Sequence, residues 1–222
     1  MTLTDERIRE LGIPLVAEEN SSLAGLLCGA SFSVRLEGVH GVSAQGRAHT
    51  IKAAIADQTK HEDLVIPGHV QPLQARSGGV LARSGRTDAS VDLARLAGFK
   101  PAGVICQILE DDGSLALLPY LEHLAERDNV KIVSVTGLIA YRLRNESLVK
   151  RVAEEVFPTI HGGVYKAIVY RNEVDGSEHM ALVKGDIGDA TGVLVRLHSG
   201  MSYGRCFWFG TLRLSAIRSG SL

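Results

Sequence analysis

The chain of 222 residues has few aromatic side chains, few cysteines and almost no net charge. Phe, Tyr and Trp make up only 5%, and 24 basic side chains face 25 acidic ones. This balance gives no electrostatic reason to expect binding to nucleic acid or to an anionic membrane. No apolar run is long enough to span a bilayer, and the N-terminus lacks a signal-peptide pattern. We therefore expect a soluble cytoplasmic protein, or a plastid protein that has lost its transit peptide.

The three cysteines, Cys28, Cys106 and Cys206, are far apart and show no metal-site spacing. We expect them to be reduced thiols, with Cys28 and Cys106 buried as small apolar side chains. The histidines in the first third of the chain also lack a convincing ligand spacing. We expect surface or capping roles for His40, His49, His61 and His69.

The first hundred residues predict short elements separated by loops. Thr4 is placed to cap a helix that buries Ile8 and Leu11 and ends at Gly12. The spacing predicts a strand over 31–36 and a helix over 47–57. Two polar, glycine-rich stretches predict loops, at residues 20–30 and 60–79.

Between residues 80 and 146 helices alternate with apolar strand-like runs. Thr87, Pro119 and Thr136 are each placed to open a helix, and Gly98 to end the first of them. The runs 103–109 and 130–135 predict buried strands, and Asp111-Asp112-Gly113 predicts a turn. This alternation predicts an α/β domain.

The pattern changes after Glu146. Residues 147–157 predict a short amphipathic helix, and two strands over 163–171 and 178–184 flank a hairpin turn at Asp175-Gly176. A third strand is predicted over 192–198. We therefore expect three regions: an α/β domain over 1–146, the start of a β-rich unit over 147–199, and a tail over 200–222 that fits neither pattern.

Several blocks of the first region, all between Glu37 and Arg142, resemble 3,4-dihydroxy-2-butanone-4-phosphate (DHBP) synthases. They read GVSAQGRAHTI, IPGHVQPLQARSGGVL, RSGRTDASVDLARLAGFKPAGVICQI and DDGSLALLPYLEHLAER. Residues 148–199 resemble the start of GTP cyclohydrolase II. This order is that of the bifunctional riboflavin-biosynthesis enzymes, and it implies a mixed sheet with flanking helices followed by an incomplete β-rich segment.

The resemblance implies conversion of D-ribulose 5-phosphate to the four-carbon phosphate and formate, with magnesium or manganese stabilising an enediolate and carboxylates moving protons. It also implies a homodimer with an active site near the subunit interface. Substrate contacts carry over to the positions that match the family pattern: Arg47, Thr50, Gly68, His69, Arg83 and Thr87.

Other positions depart from the family pattern. The chain begins downstream of the family's acidic R-E-N-E-G-D loop. Arg86 stands where the family has a metal-binding histidine, and a guanidinium cannot replace a neutral imidazole. Gln107 stands where the family has a glutamate, and an amide cannot transfer a proton as a carboxylate does. Gly46 replaces an aspartate, and His40-Gly41 replaces T-T-G.

For several of these residues a structural role competes with a functional one. His69 is either a substrate contact or a loop histidine bonded to the backbone. Arg86 is either a surface ion-pair partner or a replacement for metal charge. Thr87 is either a helix cap or a hydroxyl facing a phosphate. Gln107 is either a relic of the site or a polar residue at a strand end.

The tail departs from GTP cyclohydrolase II directly after Ser199. The family continues into E-C-L-T-G-D and F-G-S-x-R-C-D-C, whose cysteines bind zinc. Cys206 alone cannot form that site, so zinc is not expected. One permitted back-translation of residues 200–215, read one base out of frame, gives these motifs. Most codons in it are free choices, but the single codons of Met201 and Trp208 are not, and both agree with the motifs. We hypothesise a frameshift, which the genomic sequence would test.

Three functional hypotheses remain open. The chain is a working lyase of riboflavin biosynthesis, a non-catalytic homologue that binds a sugar phosphate or a subunit, or a gene fragment without a function of its own. The residues missing from the family pattern favour little or no catalysis. Loss of the family's N-terminal part is expected to remove sheet strands and to expose core.

Overall fold

The computed structural model describes residues 1–17, 25–35, 41–159, 162–188 and 192–197. His40, His198 and the tail with Cys206 lie outside these residues, so the predictions made for them stand as predictions. The chain divides into two compact units, Met1–Glu146 and Ser147–Leu222. No helix in the described ranges has the length and apolarity that a bilayer crossing requires.

The described part of unit 1 is a mixed α/β fold, as the sequence predicts. Its helices are α1 (Asp5–Glu10), α2 (Ala44–Ile55), α3 (Arg86–Leu96), α4 (Leu118–Asp128) and α5 (Val135–Asn145). Its strands are β1 (Thr2–Thr4), β2 (Leu27–Cys28), β3 (Phe32–Val34), β4 (Leu64–Val70), β5 (Leu73–Ala75) and β6 (Ala102–Gly103).

Two sheets organise unit 1. The larger has the strand order β2-β5-β1-β6, in which β1 runs parallel to β5 and antiparallel to β6. The smaller is the antiparallel pair of β3 and β4. Side chains from β1, α1, α2 and this pair form the main core, which includes Leu3, Leu11 and Phe32, all at most 1% exposed.

Helix α1 begins where the sequence predicts. The Thr4 hydroxyl accepts the Arg7 N–H at 3.1 Å, and Ile8 packs in the core. The capping hydroxyl satisfies one of the N–H groups that the first turn leaves unpaired. Gly12 follows the helix at a φ of 62°, a conformation that glycine adopts without strain.

Three other helices begin earlier than predicted. Helix α2 starts at Ala44 because the Ser43 hydroxyl caps it, accepting the Gly46 N–H at 3.0 Å. Helix α5 starts at Val135, capped by Ser134 and not by Thr136. Helix α3 starts at Arg86 with Gly85 as its N-cap, so Thr87 lies in the first turn and is not the cap.

The predicted loop over residues 60–79 is wrong, because β4 and β5 form there. The glycine and proline that suggested a loop are both used inside β4. The Ile66–Pro67 peptide bond is cis, and Gly68 lets β4 approach β3 closely. A strand at the edge of a two-stranded pair tolerates the missing proline N–H. The predicted loop at 20–30 is likewise interrupted by β2, and Cys28 within it is only half-buried.

The strands predicted over 103–109 and 130–135 are also wrong as regular strands. Only Ala102–Gly103 forms a strand, paired with β1, and Leu109 forms an isolated bridge with Leu115. No described residue between 130 and 134 is in a strand. Both runs are apolar but exposed, with Val104 at 65% and Val130 at 63%. A β-rich composition forms a strand only when a neighbouring backbone pairs with it.

Two aspartates on α3 are fully buried and hold the preceding loop against the helix. Asp88 accepts the Arg76 N–H at 2.8 Å and hydrogen bonds from Nε and Nη2 of the Arg83 guanidinium. Asp92, one turn further on, accepts the Val80 N–H at 2.8 Å. These bonds satisfy charges that burial would otherwise make costly.

Arg142 on α5 supplies the cation that Asp92 requires. Its guanidinium donates to Asp92 at 2.8 Å, to the Gly78 carbonyl at 2.9 Å and to both oxygens of Glu146. Despite desolvation, which alone would lower it, the pKa of Arg142 is raised because Glu146 and Asp92 favour its charged form. Helices α3 and α5 and the loop between residues 76 and 81 are thus joined through one buried cation.

The described part of unit 2 is an antiparallel sheet, β7 (Val149–Thr159), β8 (Gly163–Asn172) and β9 (Glu178–Val183), in the order β7-β8-β9. The hairpin at Asp175-Gly176 is confirmed, with Gly176 at a φ of 71°. The helix predicted over 147–157 is wrong, because β7 pairs with β8 from one end to the other, with one shift of register between Arg151 and Ala153. The predicted third strand is absent from residues 192–197.

We predict that Arg142→Met destabilises unit 1 by about 3–5 kcal/mol, because it removes the buried hydrogen-bonded cation of Asp92 and leaves only the half-exposed Arg95 beside it, 3.7 Å away. Urea unfolding followed by helical circular dichroism measures this, since every helix of the described chain lies in unit 1. Arg127→Met is the matched control. Arg127 is exposed and pairs only with Asp128, its neighbour, and an unchanged midpoint is expected. Equal losses in the two variants would contradict the argument.

A pH dependence follows from Glu146. Its hydrogen bonds from Arg142 are the main reason that its pKa lies below the ordinary value of 4.5. A carboxylate with a lowered folded-state pKa stabilises the fold above its ordinary pKa, and this contribution is lost as the pH falls through the lowered value. We therefore expect Glu146→Gln to reduce the loss of stability on acidification below about pH 4.5. If the free energy of unfolding of the unaltered chain and of Glu146→Gln fell equally with decreasing pH, this expectation would be contradicted.

Candidate functional site

His69 and Gly68 lie on β4 beside β3. The Ser33 hydroxyl accepts the His69 backbone N–H at 3.0 Å and lies 3.2 Å from His69 Nδ1. A Cβ added to Gly41 would lie 2.8 Å from the same ring nitrogen, so the start of the α2 region is adjacent. The imidazole is exposed and anchored through one nitrogen. The other nitrogen remains available to a ligand.

Gly68 is required by geometry. A Cβ at this position would lie 2.0 Å from the Phe32 carbonyl carbon and 2.1 Å from the Ser33 nitrogen. These are backbone atoms of the paired strand and cannot turn away. Any direct role of Gly68 toward a ligand therefore comes in addition to a packing requirement.

Thr50 is committed to the core and is only 1% exposed. Its hydroxyl donates to the Gly46 carbonyl at 2.9 Å and accepts the Val34 N–H at 3.1 Å. The side chain thereby ties α2 to β3. This is a sufficient reason for a threonine at this position without any ligand.

Arg83 is also committed to internal contacts. In addition to Asp88, its guanidinium donates to the Gly25 carbonyl at 2.7 Å and to the Gln74 carbonyl at 3.2 Å. Because all three of its nitrogens already have acceptors, it is not a free phosphate anchor. It holds the first turn of α3 through Asp88, and Arg86 and Thr87 lie in that turn.

The first turn of α3 has several unpaired donors. Arg86 is exposed, and its guanidinium has no hydrogen-bond or ion-pair partner in the described ranges. Gly85 provides no side-chain cap, so the first N–H groups of the helix are uncapped. The Thr87 hydroxyl is also unbonded, although Thr87 is buried, and its carbonyl accepts from Ser90. An uncapped helix N-terminus with an unpaired cation favours an anion.

Arg47, in the first half of α2, is a second unpaired cation, and it is one of the expected contact residues. It is exposed, and no described residue forms an ion pair or side-chain hydrogen bond with it. The structure thus groups Thr50, Gly68 and His69 around β3, and Arg83, Arg86 and Thr87 around the start of α3. No hydrogen bond within the described part of the chain joins the two groups.

Gln107 and Cys106 lie on the exposed run that follows β6. The expectation that Cys106 is buried is wrong, because this run has no covering strand. The predicted turn at Asp111-Asp112-Gly113 is confirmed: the Ser114 N–H donates to Asp112 at 2.8 Å, and Gly113 has a φ of 85°. The Asp112 carboxylate serves the turn, and its pKa is lowered by hydrogen bonding to the Ser114 side chain and, second, to the Ser114 backbone N–H.

The side chains of the described residues do not fit a divalent cation. Among the described residues no three His, Cys, Asp or Glu side chains converge as ligands. His49 and His61 each bond a backbone carbonyl, those of Gln45 and Leu11. Arg86 cannot ligate a metal at all.

A shallow cavity of about 280 Å³ lies elsewhere in unit 1, between α1 and the end of α2. Its charged side chains include Arg7, Asp57 and Lys100, and Arg7 is bonded to the backbone carbonyls of Ala54 and Ala56. None of the expected contact residues lines it. The cavity is a different part of the surface from the groups around β3 and α3.

Comparison with known families defines the class of the protein. The family model of 3,4-dihydroxy-2-butanone 4-phosphate synthase matches residues 1–141, and that of GTP cyclohydrolase II matches residues 150–213. The first match spans most of the mixed α/β unit described above. The chain belongs to the 3,4-dihydroxy-2-butanone 4-phosphate synthase family.

Its relatives are proteins of riboflavin biosynthesis. The riboflavin biosynthesis protein RibBA of Salinispora arenicola is 44% identical over 198 residues, which are 89% of this chain and 47% of the relative. The 3,4-dihydroxy-2-butanone 4-phosphate synthase of Pseudomonas syringae is 41% identical over 198 residues, which are 89% of this chain and 53% of the relative. The chain thus spans about half the length of these curated relatives.

Solved structures show the same fold. RibBX, a two-domain synthase from A. baumannii, superposes with a TM-score of 0.70 at 42% identity, over 83% of this chain and 54% of that chain. A synthase in complex with two magnesium ions superposes with a TM-score of 0.58 at 28% identity, over 64% of this chain and 72% of that one. The fold class predicted from the sequence is confirmed.

Asp88, Asp92 and Arg142 are the residues that sequence reasoning missed. The available signal was the spacing of two aspartates one helical turn apart beside Ala89 and Val91, on a helix that packs in the interior. Two aspartates at this spacing can be buried only if a cation lies close to them. The cation Arg142 is far away along the chain, so the spacing alone could not identify it.

We predict that Gly68→Ala costs about 3 kcal/mol or more, because the new methyl group collides with the backbone of β3. Gly98→Ala is the matched control. Gly98 has a φ of 79° with no atom near its missing Cβ, so only about 1–2 kcal/mol of backbone strain is expected. Thermal unfolding of both variants measures the difference. A smaller loss for Gly68→Ala than for Gly98→Ala would contradict the packing argument.

Proposed function

We propose that this chain is a sugar-phosphate-binding member of the synthase family that binds D-ribulose 5-phosphate without converting it at an appreciable rate. It would act in the cytoplasm, or in the plastid if the source is a plant. The observation that carries the proposal is the pair of unpaired guanidinium groups, Arg47 and Arg86, one of them beside an uncapped helix N-terminus.

A phosphate group matches these donors. A phosphate oxygen accepts N–H bonds from a helix end and from a guanidinium at the same time. Arg83 supports this arrangement without touching the ligand, because it neutralises Asp88 and leaves the charge of Arg86 uncompensated. His69, anchored on Ser33, offers one ring nitrogen to a sugar hydroxyl.

The proposed lack of turnover follows from the side chains at two family positions. Conversion to the four-carbon phosphate and formate requires proton transfer at carbon and stabilisation of an enediolate. Gln107 has no carboxylate to move a proton, and Arg86 cannot hold the metal ion that would stabilise the negative charge. The remaining residues can bind and orient a substrate, which is the function that we assign to them.

Titration calorimetry of the full chain with D-ribulose 5-phosphate tests the binding. We expect measurable binding that weakens at high salt, and a loss of about tenfold or more in Arg86→Met and in Arg47→Met, because each removes a charge-assisted hydrogen bond. Arg127→Met removes an exposed cation that is already paired and should bind normally. Failure of the unaltered chain to bind would refute the proposal.

Turnover is tested separately. The chain is incubated with D-ribulose 5-phosphate and magnesium, and formate is measured against an intact DHBP synthase as positive control. We expect no formate above background. Formate production at a rate near that of the intact enzyme would show a working lyase, the principal alternative.

A further inference from the structure

Arg76, directly after β5, is a further unpaired cation close to the start of α3. Its backbone N–H donates to Asp88 at 2.8 Å. Its side chain is exposed, and the guanidinium has no hydrogen-bond or ion-pair partner in the described ranges. The terminal nitrogen Nη2 lies 3.6 Å from the point where a Cβ on Gly25 would be. The side chain therefore points towards Gly25 without a protein acceptor at its end.

The Arg83 side chain lies between Arg76 and the first turn of α3. Its Cγ and Nε lie 3.9 and 3.6 Å from the point where a Cβ on Gly85 would be, and its Nη1 donates to the Gly25 carbonyl at 2.7 Å. Arg86 follows Gly85 in the chain, at the Cγ end. The Arg76 guanidinium instead lies beside Gly25, at the Nη1 end. In an extended arginine side chain these two ends are roughly 5 Å apart.

The side chains between these two free arginines have no net charge. Arg83 and Asp88 form an ion pair with a distance of 2.7 Å, and the Asp88 side chain is fully buried. Arg76 and Arg86 therefore keep their charges, one at each end of a neutral pair. Each guanidinium can form charge-assisted hydrogen bonds to its own phosphate. Two separated cations of this kind favour a ligand with two anionic groups over a ligand with one.

Thr87 supplies a neutral donor at the α3 end. The residue is only 5% exposed, and its hydroxyl has no partner among the described residues. Within the described part of the chain, no side-chain oxygen or nitrogen is both shut off from solvent and without a partner. The Thr87 hydroxyl must therefore open to the surface, in the turn that has no side-chain cap. Together with the free N–H groups of that turn, it forms a site for one phosphate.

We propose that Arg76 forms a second anion subsite, so that the chain prefers a sugar bisphosphate to a sugar monophosphate. This inference rests on the phosphate site that the proposed function assigns to the first turn of α3. One phosphate group binds at that turn, and the second binds the Arg76 guanidinium. Asp88 supports both subsites, because it belongs to that turn and its carboxylate fixes the Arg76 backbone N–H.

Titration calorimetry of the full chain with ribulose 1,5-bisphosphate and with D-ribulose 5-phosphate tests the second subsite. We expect the bisphosphate to bind at least about tenfold more tightly, because it adds charge-assisted hydrogen bonds to Arg76. Arg76→Met should remove this advantage and leave the affinity for D-ribulose 5-phosphate unchanged. Arg76→Lys keeps the charge without the planar fork of donors, and it should retain part of the advantage.

Arg144→Met is the matched control. Arg144 is exposed on α5, and its side chain has no partner in the described ranges. Its removal should leave both affinities unchanged. The circular dichroism of Arg76→Met should match that of the unaltered chain, because the substitution keeps the backbone N–H that Asp88 binds.

The outcomes separate this inference from the proposed function. Equal affinity of the unaltered chain for the two ligands would overturn the second subsite and leave the proposed function intact. If Arg76→Met weakened binding of both ligands by the same factor, both would use one shared phosphate site, and the inference would be wrong. Arg76-dependent binding of the bisphosphate without binding of D-ribulose 5-phosphate would support the second subsite and refute the proposed function.

Discussion

The loop between residues 76 and 81 is held against α3 by two buried carboxylates, Asp88 and Asp92, and most of unit 1 depends on this contact. Each carboxylate binds one backbone N–H of the loop and one guanidinium. Buried charges of this kind are tolerated only when every partner is present. Their geometry therefore fixes the end of β5, the start of α3 and the position of α5 together.

The same constraint separates the arginines into two groups. Arg83 and Arg142 are bonded to carboxylates and backbone carbonyls, and they are structural residues. Arg47 and Arg86 have no partner in the described part of the chain, so their charges remain available to an anion. Family resemblance treats Arg47 and Arg83 alike as substrate contacts, and only the bond network distinguishes them. The structure also shows that Thr50 and Gly68 are required for the packing around β3 and β4, whatever else they contact.

The exposed segment between Val104 and Leu117 shows that the strand propensity of individual residues does not by itself produce a strand. Its residues have high β propensity, and yet β6 ends at Gly103, where pairing with β1 ends. In unit 2 the converse holds. Residues 149–156 have the spacing of an amphipathic helix, but a continuous partner in β8 makes them a strand. In both cases pairing with a neighbouring backbone, which is a non-local interaction, decided the outcome.

The sequence alone determined the family, the mixed α/β class, the helix that Thr4 caps, the turn at Asp112 and the hairpin at Gly176, because these rest on motifs or on contacts within a few residues. It also identified Arg86 and Gln107 as departures from the family pattern. The tertiary structure decided that β4 and β5 replace a predicted loop, that Thr87 is not a cap, and that Arg83 is committed to Asp88. These depend on close strand approach and on partners distant along the chain, for which local sequence carries no signal.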